Sequence, residues 1–198
     1  MFVTIEGIDG SGKSSVVRRL PALLTGHDLV LTREPTDGHT GKAVRDALVR
    51  GAPPLETLFL FLADRAAHSP GIEAASSSGK LVVCDRYHDS TIAYQGVAIG
   101  NLPGVDDIVG FLRGFARHFP RPDLTILLKA DPAKCIQRLT ARGPKIPYEK
   151  EEFIAKVQAI YLSIAAADPR IRVVDAERNI DELANEVATT IRERIPRR

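Results

Sequence analysis

The residues Gly7-Ile8-Asp9-Gly10-Ser11-Gly12-Lys13-Ser14 read G-x-x-x-x-G-K-S. An apolar, strand-like run, Phe2–Glu6, leads into them, and Ser15-Val16-Val17-Arg18-Arg19-Leu20 starts a helical pattern after them. A strand, a Gly-rich turn and a helix start form the setting in which these residue types hold phosphate. Glycine lets backbone N–H groups close around phosphate oxygens where a side chain would obstruct. The new helix points the positive end of its dipole at the same anion. Lys13 is expected to reach the β- and γ-phosphates and the Ser14 hydroxyl to ligate Mg²⁺. Gly7, Ile8, Asp9, Gly10, Ser11, Gly12, Lys13, Ser14 and Ser15 are thus the expected polyphosphate contacts. The competing reading, a Gly-rich turn with a solvated lysine, is disfavoured by both flanks.

Further cations follow other strand-like runs. Arg33-Glu34 follows Leu29–Leu31, Asp85-Arg86 follows Lys80–Cys84, and Lys129-Ala130-Asp131 follows Leu124–Leu128. Arg45, Arg65, Arg138, Arg142 and Lys145 add to the series. Cations so placed suit two phosphate groups that must be brought together, because phosphoryl transfer consists mainly of positioning and charge neutralisation. Arginine serves well, since its fork binds phosphate in two places. Taken singly, Arg45, Arg138 and Arg142 are equally compatible with surface salt bridges.

The elements that would position these residues alternate. Strands at Phe2–Glu6, Leu29–Leu31, Lys80–Cys84, Leu124–Leu128 and Ile171–Val174 are separated by helical patterns. One helix runs over Lys42–Arg50. The next, Leu55–His68, carries Leu55, Leu58, Phe59, Leu62 and Ala66 at helical spacing. Others cover Ser90–Val97, Val105–Phe119, Asp131 to about Gly143, and Glu151–Ala167, the last with core positions Phe153, Val157, Ile160, Tyr161 and Ile164. Asp131-Pro132 is a cap followed by proline at the first helical position. Asn179 with Glu182 forms a capping-box pattern ahead of a final stripe of Leu183, Val187, Ile191 and Ile195. The fold class is α/β, of the P-loop NTPase type. It is a three-layer fold with a five-stranded parallel sheet and helices on both faces, built as a single domain over residues 1–198. Ligands of such sheets bind beyond the C-terminal strand ends. The P-loop, Arg33-Glu34 and Asp85-Arg86 are therefore expected to meet.

The totals narrow the partners. A net charge of +2 over 198 residues gives no ground for nucleic acid or membrane binding. Two cysteines, Cys84 and Cys135, lie in apolar patterns and read as buried thiols. No apolar run approaches the roughly 18 residues of a spanning helix. A strand starting at Phe2 leaves no room for a signal peptide, so a cytoplasmic protein is expected.

Together the motifs resemble the thymidylate kinase family of P-loop nucleoside monophosphate kinases, over nearly the whole chain. The resemblance rests on F-V-T-I-E-G-I-D-G-S-G-K-S-S, T-R-E-P-T-D-G, D-R-Y-H-D-S-T-I-A-Y-Q-G, P-D-L-T-I-L-L-K-A-D-P and V-V-D-A-E-R-N-I-D-E-L. It implies phosphorylation of dTMP to dTDP with ATP and Mg²⁺, by a homodimer. Phe61 and Arg65 match an F-x-x-x-R pair in which the ring stacks on thymine and the arginine bonds its O4. Positions i and i+4 share a helix face, so one base can be gripped by both. Arg86 matches the arginine that holds the monophosphate, with Arg45 as a second contact. Thr91 and Gln95 match positions that read the base edge, with Tyr94 near the sugar. Asp9 resembles the acidic residue that meets the acceptor's 3′-hydroxyl. Glu34 and Asp85 resemble carboxylates near Mg²⁺ that act through water, and Glu34 also borders dTMP.

Residues 142–149 match the family's lid, which closes over ATP and excludes water. Gly10 and Ser11 are not basic, so the lid is expected to supply the catalytic cation, from Arg142 or Lys145. Two departures stand out: Pro147 where the family often has arginine before the Tyr148-Glu149 pair, and Lys129 where an acidic residue is more common. The alternatives are a monophosphate kinase of other base preference, a deoxynucleoside kinase, or a non-catalytic P-loop switch. Arg33, Arg45 and Arg86 argue against a nucleoside acceptor.

Overall fold

Strand β1 (Phe2–Gly7) is buried along its whole length and forms the middle of the sheet. It is flanked by β3 (Leu81–Asp85) and β4 (Leu124–Lys129), with β2 (Leu29–Arg33) and β5 (Ile171–Asp175) at the edges. All four pairings are parallel, in the order β2-β3-β1-β4-β5. The computed structural model describes residues 1–100, 102, 107–141 and 150–195. Burial on both faces explains why the inner strands read as continuous apolar runs rather than alternations. Leu81 and Val83 join a cluster containing Val16 and Leu20 and the Leu183, Val187 and Ile191 stripe. Their neighbours Val82 and Cys84 point the other way, to Ile72. Helices therefore cover both faces, as expected.

The register brings the strand ends level. Ile5 lies opposite Asp85, and Arg33 opposite Asp85 from the other side. The chain segments that follow β1, β2 and β3 consequently emerge at one edge. Glu34 N–H donates to the Asp85 carbonyl at 3.1 Å and Arg86 N–H to the Ile5 carbonyl at 3.0 Å, tying the three exits together.

The helices depart from the sequence reading in three places. The first is short: α1 (Lys13–Val17) stops before α2 (Leu20–Leu23), which carries Pro21 in its first turn. After α3 (His39–Val49), the helix expected to end at His68 continues as α4 (Pro54–Ser77), through Pro70. Proline removes one backbone bond from such a helix, yet Ile72 beyond it is 2% exposed and anchors the distal turns. The expected apolar stripe of α4 is also corrected. Leu58 is buried, but Leu55 is 47% and Phe59 67% exposed. The buried face of α4 instead includes Asp64, Arg65 and Ser69.

Then come α5 (His88–Gly100), α6 (Ile108–Phe115) with a 3₁₀ turn at Ala116–His118, and α7 (Pro132–Thr140). Asp131 caps α7 by accepting from Ala133 N–H at 2.8 Å. Helix α8 (Glu151–Ala167) buries Ile154, Val157, Tyr161 and Ile164, and α9 (Ile180–Arg194) is capped by Asn179. Cys84 and Cys135 are buried free thiols. Among the described residues no helix is long and apolar enough to cross a membrane. Residues 142–149, with the expected lid and its Arg142 and Lys145, lie outside the described residues.

Candidate active site

The turn after β1 is shaped by close backbone approaches. At Gly7 (φ 141°) a Cβ would sit 2.6 Å from the Leu128 carbonyl oxygen, and at Gly10 (φ 82°) 2.6 Å from the Cys135 carbonyl oxygen. Neither position tolerates a side chain, so the loop lies flat against β4 and α7. Lys13, 5% exposed, donates from Nζ to the Gly7 and Ile8 carbonyls at 2.8 Å each. Burial, and secondarily the neighbouring Arg86 charge, bring its ammonium down to a pKa of about 8. Burial thus disfavours the charged form of Lys13, and an anion in the loop would favour it.

Ser14 Oγ donates to Asp85 Oδ2 at 2.6 Å. Asp85 Oδ1 is buried and has no hydrogen-bond partner among the described residues. A hydroxyl and a carboxylate with a spare oxygen form a hard-donor pair, which fits Mg²⁺. No group of three or more His, Cys, Asp or Glu side chains capable of holding a metal occurs among the described residues. A Mg²⁺ held here would complete its shell with water and substrate phosphate, as this ion commonly does.

Beside the loop opens a cavity of about 270 Å³. At its near end stands Arg86, whose φ of 70° is the sole positive value at a non-glycine among the described residues. Such a conformation is costly and marks a backbone held by its surroundings. The hold comes from Glu6, a fully buried carboxylate on β1. It accepts from Tyr87 N–H (2.8 Å), Ser90 Oγ (2.6 Å) and Tyr161 Oη (3.0 Å). Burial, then the nearby Asp89 charge, raise the Glu6 pKa. The Arg86 guanidinium pairs with Asp9 and lies 5.3 Å from the Tyr94 ring centroid. Tyr94 Oη accepts from Asp9 N–H and donates to Asp9 Oδ2, both at 2.8 Å. Burial pushes the Asp9 carboxyl up, but Arg86, Lys13 and the Tyr94 hydroxyl together hold it below its ordinary value.

The far end is lined by Phe61, Arg65, Thr91 and Gln95. Phe61 is half-buried, lines the cavity and belongs to none of the three apolar clusters. Arg65 is 1% exposed, its guanidinium carbon 5.1 Å from the Tyr87 ring centroid and 5.7 Å from that of Phe119. Its Nη2 donates to Glu34 Oε2 at 2.5 Å and to Thr91 Oγ1 at 2.9 Å. Arg65 Nε and Gln95 Oε1 are buried without partners among the described residues. Glu34 spends its other oxygen, Oε1, on His68 Nδ1 at 3.1 Å. Arg45 does not line the cavity. It donates to the Pro35 carbonyl at 3.3 Å and the Thr36 carbonyl at 2.5 Å.

The sequence reading missed three supports. Glu6 steadies the turn after β3. Asp64 fixes the 36–40 segment by accepting from Thr36 N–H, Thr36 Oγ1 and Thr40 Oγ1 at 2.6–2.8 Å. His68 holds Glu34. Of the three, His68 has a visible signal in its spacing, since positions 61, 65 and 68 fall on one face of α4. On the other side, Arg138 Nη1 donates to the Gly10 carbonyl at 3.2 Å and ties α7 to the loop.

A parallel sheet, a phosphate loop after β1, a Ser–Asp pair at the neighbouring strand end and an adjoining cavity define a P-loop nucleotide-binding protein with room for a second ligand. The family model described as thymidylate kinase matches residues 5–187. A probable thymidylate kinase of Methanoculleus marisnigri is 41% identical over 196 residues, covering 97% of this chain and 94% of that protein. One from Methanosarcina acetivorans is 38% identical, covering 96% and 94%. A thymidylate kinase of Solidesulfovibrio magneticus is 40% identical, covering 94% and 96%. The chain belongs to the thymidylate kinase family.

Proposed function

We propose that this protein transfers the γ-phosphoryl group of ATP to the 5′-phosphate of dTMP, with Mg²⁺, giving ADP and dTDP. The observation that carries the proposal is the single cavity running from the Asp9–Arg86 pair, beside the phosphate loop, to Phe61, Arg65 and Gln95. Phosphoryl transfer requires donor and acceptor phosphates side by side and in line.

In this reading the backbone of residues 7–15 cradles the ATP phosphates, and Lys13 leaves the Gly7 and Ile8 carbonyls for their oxygens. Ser14 and Asp85 would hold Mg²⁺, which would supply charge neutralisation on the donor phosphates. Arg86 binds the acceptor monophosphate, and Asp9 and Tyr94 face the sugar. Phe61 stacks on the base. The free Arg65 Nε–H suits the O4 acceptor of thymine, and the free Gln95 Oε1 suits a pyrimidine N–H. Thr91 fixes the Arg65 fork. Glu34 orients Arg65 and His68, one per oxygen, and its remaining acceptor sites would serve dTMP on the cavity side and a water of the Mg²⁺ shell. Arg45 acts by shaping the 35–36 turn. A phosphate dianion is already nucleophilic, so no general base is needed. Arg142 or Lys145 of the lid supplies a further cation. Turnover of Arg142→Ala and Lys145→Ala tells them apart, and full activity in both removes that role.

The proposal extends to the assembly and the setting. The chain works as one domain, with residues 142–149 as its lid. The exposed Leu55 and Phe59 on α4, Val49 on α3 and Phe111 on α6 form apolar surface that a second copy would cover. The buried thiols suit a reducing cytoplasm, and near-neutral charge suits small-molecule partners rather than nucleic acid or membrane. The test is purified protein with Mg-ATP and a panel of nucleosides and monophosphates, with diphosphates measured. dTDP is the expected product. Efficient use of another monophosphate without dTDP would overturn the specificity, and hydrolysis without any transfer would leave a nucleotide switch.

A further inference from the structure

We infer that His68 is a positioning residue for base selectivity: it holds Glu34 so that Arg65 keeps a free N–H for the acceptor base. The inference rests on the dTMP reading above and adds a residue to it.

Glu34 is 4% exposed and Arg65 1%, so their ion pair is largely desolvated, although both residues line the cavity. A buried carboxylate facing a guanidinium tends toward the two-point fork, in which both oxygens bind one arginine. Here the fork is not formed. Oε2 meets Arg65 Nη2 at 2.5 Å, while Oε1 turns to His68 Nδ1 at 3.1 Å. A carboxylate oxygen only accepts, so Nδ1 carries the proton. The other ring nitrogen, Nε2, lies 2.7 Å from Thr32 Oγ1 on β2. The ring is thereby pinned to the sheet on one side and to Glu34 on the other. Arg65 Nε remains without a partner among the described residues, on a side chain that lines the cavity.

Removal of the imidazole leaves Oε1 buried and unsatisfied, which is costly. The nearest relief is rotation onto Arg65, where the carboxylate takes the N–H that the base would use. Thymine offers a carbonyl acceptor at this edge, and cytosine an amino donor. Loss of the free N–H therefore removes one of two contacts that favour dTMP over dCMP, the other being Gln95 Oε1, which suits the N3–H of thymine and not the bare N3 of cytosine. His68 also borders a separate cavity of about 420 Å³ with Ser14 and Asp85. The ring thus stands between Glu34 and the Mg²⁺ side of the site.

The test compares His68→Leu, His68→Asn and Thr32→Val with the wild-type chain, by kcat and KM for dTMP, dCMP and ATP. Loss of one hydrogen bond to a base carries on the order of a tenfold effect. In His68→Leu we expect KM for dTMP to rise about tenfold and the dTMP-over-dCMP ratio of kcat/KM to fall about tenfold, with KM for ATP within about twofold. His68→Asn keeps an N–H where Nδ1 stood and is expected to recover most of the ratio. An unchanged ratio in His68→Leu, with kcat or melting temperature alone reduced, makes His68 structural and overturns the inference. If His68→Leu does not fold, Thr32→Val reads the same ratio: a fall supports the inference and an unchanged value overturns it. Failure of the wild-type chain to phosphorylate dTMP is a separate outcome, which sinks the dTMP reading and this inference with it.

Discussion

The two halves of the site, the phosphate loop and the cavity beside it, are built by different means. The donor end is one continuous stretch, residues 7–15, and works mostly through backbone. Gly7 and Gly10 lie where a Cβ would strike β4 or α7, and its cation is bent back onto the loop's own carbonyls. The acceptor end is built from side chains on β1, β2, α4 and α5. These are linked by a buried network from Thr32 through His68, Glu34 and Arg65 to Thr91. Backbone can grip any nucleoside triphosphate because phosphates are common to all. Only side chains tell one base from another, so selectivity belongs to the end that the fold must assemble from distant segments.

That contrast can be broken at its donor side first. Lys13→Ala removes the one buried cation of the loop, and kcat is expected to fall about 10³-fold or more, as for loss of a principal charge contact in phosphoryl transfer. A loss under about tenfold would mean that the loop does not organise the transferring phosphate. Asp85→Asn weakens the hard-donor pair with Ser14. We expect about a 10²-fold loss in kcat/KM and a rise in the Mg²⁺ concentration for half activity. An unaltered Mg²⁺ requirement would place the ion elsewhere.

The pH dependence sharpens the same side. Free Lys13 has its pKa lowered to about 8, so above that pH the ligand-free protein holds a neutral amine. Bound phosphate favours the ammonium and raises its pKa, so binding takes up a proton above pH 8. ATP affinity is therefore expected to be flat below about pH 8 and to weaken by up to about tenfold per unit above it. Affinity that stays constant to pH 9.5, measured by calorimetry, would remove Lys13 from the contact. The smallest effect is expected away from both ends. Phe59→Asp should convert a dimer to monomer in sedimentation, with kcat altered by about twofold or less. A wild-type monomer would show that the exposed face has another use.

Legibility in the sequence follows the same division. The phosphate loop is contiguous, its residue types are dictated by backbone geometry, and the flanking strand and helix were visible as apolar runs. The convergence of Arg33-Glu34 and Asp85-Arg86 on it followed from parallel strand order. Helix α4 is only half legible from its apolar spacing, which places Leu58 and Leu62 correctly against the core. Leu55 and Phe59 face outward, while Asp64, Arg65 and Ser69 are buried by having partners. Spacing reveals a periodic stripe but not which stripe the tertiary fold covers. His68 was missed because its partners Thr32 and Glu34 stand 36 and 34 residues away in the chain. Glu6 was missed for the same reason, since in sequence it is one polar residue at the end of an apolar strand.

The claim that base recognition and triphosphate binding sit in separable halves of the site, the cavity and the adjoining loop, is tested most directly at Arg65. Replacing it alone would strand the buried Glu34 charge, so Glu34→Gln and Arg65→Met are made together, which removes the pair as a unit. Calorimetric Kd values for dTMP and for ATP are then compared with the wild-type values. We expect dTMP binding to weaken by about 30-fold or more while ATP binding stays within about twofold. Equal weakening of both ligands, or unaltered dTMP binding, would contradict the account.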